Sequence, residues 1–175
     1  MNWLQEAFLE PTMVQAVIII SLVSALGLYL GRIKIFGISL GITFVFFAGI
    51  FAGHLGIVVN KDMLYFAQSF GLILFVYALG LQVGPGFFSS LKKGGVAMNM
   101  MGLGVILLGL IMTVGLHWVT GVSLSNMVGL LCGAVTNTPA LGAAQQALLQ
   151  IDPANTKGVT DMALACAVAY PLGVV

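Results

Sequence analysis

Charged side chains are so scarce in this sequence, and so unevenly placed, that they cut it into apolar runs suited to a lipid bilayer. There are 6 Lys+Arg and 5 Asp+Glu in 175 residues. No Asp, Glu, Lys or Arg occurs from Pro11 to Gly31, from Ile35 to Asn60 or from Met63 to Leu91. A fourth apolar stretch, Gly94 to Thr156, carries Asp152 as its one charge. A single helix needs about 20 apolar residues to cross about 30 Å of hydrocarbon, so that stretch must hold at least two segments. It divides near Gly121–Ser125, where glycine and hydroxyl residues follow the interfacial side chain Trp118, giving segments over 96–119 and 125–149. A last apolar stretch opens near Asp161 and is still running at Val175, which reads as the front part of a longer protein.

With 60% hydrophobic and 6% charged residues, against about 25% charge in soluble domains, the composition excludes a soluble enzyme and a disordered tail. A net charge of +1 offers no basic patch, so nucleic acid is excluded as a partner, and the partner implied is the lipid bilayer. Glu6 and Glu10 precede the first run and no Lys or Arg comes before Arg32, so the basic start of a signal peptide is missing. Positive charge after the first span and none before it places the N-terminus outside and Arg32 and Lys34 inside. Lys61 then falls outside and Lys92 and Lys93 inside, four basic residues against one.

Glycine, at 23 residues, is about twice its usual share of ~7%. The pairs Gly27/Gly31, Gly37/Gly41, Gly49/Gly53, Gly80/Gly84 and Gly129/Gly133 each put two small residues on one helix face. In lipid that spacing lets backbones approach closely, so the pairs read as helix packing or, through exposed faces, as contacts of a homo-oligomer; a solute lining is the alternative. Cys132 and Cys166, both in apolar stretches, read as free thiols packed like small hydrophobes.

The most informative stretch is Gly133-Ala-Val-Thr-Asn-Thr-Pro-Ala-Leu-Gly-Ala-Ala-Gln-Gln146. Pro139 breaks a helix unless it sits in the first turn. The stretch therefore predicts one half-helix ending near Thr136 and a second starting at Pro139, with Thr138 as N-cap. A helix start at mid-membrane depth leaves N–H groups and a partial positive charge that polar groups or an anion must satisfy. Broken helices with an N-terminus aimed at an anionic group characterise solute sites of secondary transporters. Thr136, Asn137, Thr138 and the amides after Pro139 are thus candidates for binding a carboxylate. A proline kink healed by its own side chains is the alternative, but four consecutive helix-disfavouring residues exceed what a kink requires.

A second interruption, Gly80-Leu-Gln-Val-Gly-Pro-Gly86, falls late in the third span. Pro85 could start a short helix there, with Gly80, Gly84 and Gly86 supplying a hinge and Gln82 a solute contact; hinge and contact are equally supported. Pro171 predicts a kink that frees the carbonyl of Ala167. His54 and His117 read as interfacial, Asp161 as a helix-start cap, and Gln145 and Gln146 as either pore lining or interhelical glue. No zinc spacing, Gly-Lys-Ser phosphate loop or Ser/His/Asp arrangement occurs, so no catalytic residue, metal or cofactor is expected and the chain is not read as an enzyme.

Two motifs carry a resemblance: Phe70-Gly-Leu-Ile-Leu-Phe-Val-Tyr-Ala-Leu-Gly-Leu-Gln-Val-Gly-Pro-Gly-Phe-Phe-Ser-Ser-Leu91 and the Gly133–Gln146 stretch. They closely resemble the membrane repeat of the aspartate:alanine exchanger family, which includes the AspT antiporters and the YidE/YbjL group of bacterial transporters. The resemblance runs from about Gln15 to the end. It implies an all-α integral membrane protein of the bacterial cytoplasmic (inner) membrane, one half of an inverted-repeat transporter. It also implies cytoplasmic regulatory domains and a second membrane half that lie outside this sequence. A start outside and a cytoplasmic continuation need an odd number of crossings, yet six apolar segments are present. The expected solution is about five transmembrane helices plus one broken or re-entrant segment at Asn137. A full sixth crossing would instead place Lys157 inside.

The function these readings support is antiport of small anionic or zwitterionic solutes such as amino acids. An ion channel or cation transporter regulated by cytoplasmic domains is the alternative.

Overall fold

The computed structural model describes residues 12–34, 41–90 and 95–174. Glu6, Glu10, Gly37, Lys92 and Lys93 lie outside the described residues. Every helix or strand element described is helical: α1 Met13–Leu30, a 3-10 turn Gly41–Thr43 leading into α2 Phe44–His54, α3 Lys61–Ser90, α4 Val96–Thr120, α5 Leu124–Ala134, α6 Thr138–Ile151 and α7 Thr156–Val174. Among these, α1, α3 and α4 are long and apolar enough to cross a membrane. The division expected at Gly121–Ser125 is where α4 ends. Gly121 closes it in the left-handed region (φ 70), its N–H donating to the His117 carbonyl at 2.9 Å, and the Ser123 side chain then caps α5 by accepting from Asn126 N–H at 3.3 Å.

The chain divides into two compact units, with the boundary after Ser69 inside α3. In the first, α1 begins under a Thr12 cap that accepts from Gln15 N–H at 3.1 Å. The Gln15 side chain is buried and donates through Nε2 to the Val58 carbonyl at 2.9 Å. At Gly27 an added Cβ would overlap the Val45 backbone, and at Gly31 it would overlap the Gly41 carbonyl. This pair therefore acts as predicted, letting α1 lie against the 3-10 turn and α2.

The second unit is built around α5, α6 and α7. A Cβ on Gly158 would lie 3.1 Å from Ser125 Oγ and 2.9 Å from Leu148 Cδ2, so the start of α5, the end of α6 and the start of α7 meet at one end. α5 and α6 are thus an antiparallel hairpin. Gly129 faces Met162, Gly133 faces Cys166 and Tyr170, and Ala134 faces Gly173, so α7 runs parallel to α5. A Cβ at Gly129 would overlap the Met162 carbonyl, and one at Gly133 would stand 2.5 Å from the Cys166 carbonyl oxygen. Cys132 and Cys166 are free and buried in this unit, as read from sequence.

Not every glycine pair packs. An added Cβ at Gly49, Gly53, Gly80 or Gly84 meets nothing within 4 Å.

The structure corrects the expected interruption at Pro85. α3 continues through Gly80, Gly84, Pro85 and Gly86 to Ser90. Proline here removes one hydrogen bond, to the Leu81 carbonyl, from a helix of 30 residues. Its flanking glycines present no Cβ to crowd the ring. α7 likewise continues through Pro171 to Val174. Asp161 is not a cap: Asn155 takes that place, its Oδ1 accepting from Gly158 N–H at 2.9 Å, while Asp161 pairs with exposed Lys157 at 3.0 Å one turn into α7.

Gly129→Ala forces a methyl group into the Met162 backbone and is expected to lower stability by about 1–3 kcal/mol. Gly142→Ala, whose Cβ meets nothing within 4 Å, is expected to raise it by about 0.5–1 kcal/mol by restricting the unfolded chain. Thermal unfolding of the purified protein in detergent reads both.

Candidate functional site

The turn that joins α5 to α6 is where the helical hydrogen-bond ladder stops and restarts. Val135 N–H still donates to the Leu131 carbonyl at 3.1 Å. Thr136 N–H then donates to Gly133 at 2.9 Å and Asn137 N–H to Cys132 at 2.8 Å. These last two bonds are the pair that defines a Schellman closure of a helix C-terminus. Such a closure needs a left-handed residue at its penultimate position. Thr136 fills it, with φ 53, among the described residues the one non-glycine with positive φ. Glycine is the usual occupant, and a β-branched residue there is strained.

α6 starts immediately. The Asn137 side chain accepts from Ala140 N–H at 3.0 Å, and its carbonyl accepts from Leu141 N–H at 3.3 Å. This corrects the sequence expectation on two points. The first helix ends at Ala134, not Thr136, and the N-cap is Asn137, not Thr138. Asparagine is the better cap of the two, and Asn137 holds the non-helical backbone a cap requires (φ -109, ψ 78). Thr138 and Pro139 then occupy the first two helical positions, where the missing proline N–H costs nothing.

The same count changes which groups are available. The amides of Ala140 and Leu141, expected to face a solute, are taken by Asn137. Among the described residues the Thr138 N–H, the Asn137 Nδ2 group and the Thr136 and Thr138 hydroxyls make no hydrogen bond with protein. They sit at the positive end of a 14-residue helix, with Asn137 exposed and both threonines partly exposed. α5 and α6 contain no charged residue, so the turn is a neutral set of donors and dipoles.

The other candidates are not brought to this turn. Gln82 is exposed on α3, a helix with no buried residue. Gln145 ties α6 to α7, its Nε2 donating to the Val159 carbonyl at 2.9 Å, which is the glue reading and not the pore reading. His117 holds the end of α4 through Nδ1 to the Val122 carbonyl at 2.6 Å. The left-handed backbone of Thr136 had no sequence signal, since threonine is among the residues least expected there.

The family model described as Predicted Permease Membrane Region (Asp-Al_Ex) matches residues 19–175. An uncharacterized transporter of Bacteroides thetaiotaomicron is 60% identical over 175 residues, all of this chain and 31% of that protein. One of Porphyromonas gingivalis is 60% identical over 173 residues, 99% of this chain and 31% of that protein. A third, from Bacteroides fragilis, is 55% identical over 163 residues, 91% and 28% of the two chains. The chain thus spans about a third of the length of the curated relatives it matches. No solved structure matches it.

Thr136→Gly removes the left-handed strain of about 1–2 kcal/mol at a backbone-entropy cost of about 0.5–1 kcal/mol, so a net gain of about 0.5–1 kcal/mol in unfolding free energy is expected. Asn137→Ala removes the cap and is expected to lose about 1 kcal/mol. Chemical unfolding in detergent, with both variants against the parent, reads the difference.

Proposed function

The chain belongs to the aspartate:alanine exchanger permease family, and we propose that it forms the first membrane half of an antiporter for small carboxylate-bearing solutes. In this reading a solute carboxylate docks at the Thr136–Thr138 turn. The observation that carries it is the set of unpaired donors at the start of α6. Depth supports the same reading. At 1.5 Å per residue α5 is about 16 Å long and α6 about 21 Å, about half and about two-thirds of the ~30 Å hydrocarbon core. The base of the hairpin holds Ser123, Ser125, Asp152, Asn155 and Lys157, residues that favour water. The hairpin is then re-entrant and its turn lies near mid-membrane, where irregular backbone is tolerated only when it lines a cavity or is covered by protein.

Because α5 and α6 have no Arg or Lys, the solute's charge is met by amide, hydroxyl and helix dipoles. A single carboxylate suits that set, as in an amino acid, whose ammonium group adds no second anion. A dicarboxylate needs a cation from another part of the protein. Gln82 is proposed as a further solute contact, with Gly80, Gly84, Pro85 and Gly86 as the yielding part of α3 around it and Pro171 as a bend in α7. The open glycine faces, Gly49/Gly53 and Gly80/Gly84, fit contacts between copies in a homo-oligomer. The protein lies in the bacterial inner membrane with its N-terminus outside, so the hairpin enters from outside.

Asn137→Asp separates recognition from folding. Aspartate keeps an oxygen for Ala140 N–H and caps as well as asparagine, but it places a negative charge where the carboxylate would dock. Counterflow of labelled aspartate or alanine by the full-length protein in liposomes is expected to fall by about tenfold or more, about 1.4 kcal/mol, with thermal stability unchanged. Unchanged counterflow would remove the turn from the site. Current without a counter-solute would favour a channel. A cysteine at Lys157 is expected to react with an impermeant thiol reagent added from outside to intact cells; protection there would restore a full sixth crossing.

A further inference from the structure

Resting on the transport reading above, we infer that the α5–α6 hairpin and α7 move as one rigid body, carrying the Thr136–Thr138 turn with α7 and not past it.

Three independent ties join the pieces. The first is backbone interlock. Gly129 and Gly133 admit the Met162 and Cys166 carbonyls on one side, and Gly173 admits the Ala134 carbonyl on the other, with an added Cβ 2.5 Å from that oxygen. A slip of α7 by a fraction of a turn would carry the Met162 and Cys166 carbonyls off Gly129 and Gly133 toward Ser125 and Cys132, which bear side chains on the same helix face. A slip of one whole turn keeps a glycine in the middle but strips Gly158 from Ser125 and Leu148 and Gly173 from Ala134. The contact therefore has one register. The second tie is the Gln145 Nε2 bond to the Val159 carbonyl, 2.9 Å, which fastens the other limb of the hairpin to α7. The third is burial. Met127, Cys132, Leu141, Met162, Cys166 and Tyr170, all of α5, α6 and α7, make up most of the buried apolar residues described. By contrast, α3 has no buried residue and α4 only Thr113. A closely packed interface with a single register resists shear, whereas motion is drawn from loosely held elements.

The protein carries its own reporter of this contact. Cys132 on α5 is 4% exposed and Cys166 on α7 is 0% exposed. Both thiols are free. In the full-length protein with every other cysteine replaced by serine, N-ethylmaleimide reads whether this contact opens: a thiol adds across its C=C bond to give one thioether, with no leaving group and no change of oxidation state. The expected result is that both thiols stay protected, at rates equal within about twofold with and without aspartate or alanine during counterflow, while both react once the protein is unfolded in denaturing detergent.

Two results would overturn the inference. One is labelling of both thiols in the resting protein at the rate seen in denaturing detergent. The other is labelling that quickens by about tenfold or more during exchange, as α7 shearing past the hairpin would cause. Absence of counterflow would strike the transport reading alone, since protection of the thiols is read without flux.

Discussion

Inside hydrocarbon a peptide group that loses its helical partner finds no water to replace it, and in the proposed re-entrant reading the α5–α6 turn answers that demand. Reversing a helix leaves up to four amides and four carbonyls without partners. Here the N–H groups of Val135, Thr136 and Asn137 turn back onto Leu131, Gly133 and Cys132, and the amides of Ala140 and Leu141 close onto Asn137. Pro139 contributes no N–H at all. One backbone donor, that of Thr138, is left over. A turn this economical can stand at depth, and the rest of the second unit follows from it: two short helices side by side, and α7 laid along the first of them.

The helical segments were legible because charges are so rare that their spacing marks the ends of α1 and α3 and the start of α4 almost directly, while Gly121 and the hydroxyl residues after it mark where α4 stops. The turn was legible too, since Thr-Asn-Thr-Pro cannot continue a helix. What could not be read was which residue does which task there. Asn137 and Thr138 are both good caps in isolation, and only the Schellman bonds to Cys132 and Gly133, which fix where Asn137 sits, decide between them. Those bonds depend on Thr136 adopting a left-handed backbone that its side chain opposes, so propensity pointed away from the answer. Pro85 misled in the other direction. Local rules weigh one lost bond heavily, while a 30-residue helix keeps enough others to run on. Asp161 was misread because Asn155, six residues earlier, already caps α7.

Small-residue spacing in lipid carries two meanings that sequence alone does not separate. At Gly27/Gly31 and Gly129/Gly133 the missing side chain is filled by a neighbour's backbone, and any Cβ would collide. At Gly49/Gly53 and Gly80/Gly84 the same spacing faces open space. The first kind fixes a register within this chain. The second leaves a smooth helix face that costs little to cover or uncover, as helices forming reversible contacts require.

For the exchange proposed above, a neutral site would also have the right strength. A hydrogen bond to a charged group contributes about 1.5–3 kcal/mol, and millimolar affinity corresponds to about 4 kcal/mol. In the proposed site, two or three such bonds, from Thr138 N–H, Asn137 Nδ2 and a threonine hydroxyl, would reach that level once desolvation and lost motion are set against them. A buried arginine would bind a carboxylate more tightly and release it more slowly. It would also leave an unpaired charge in hydrocarbon whenever the site stood empty between solutes, at a cost of several kcal/mol. Dipoles fixed by the helix start carry no such penalty, so an empty turn and an occupied one can differ little in energy. In the proposed antiport, that near-balance would let one solute replace another without a deep trap on either side of the membrane.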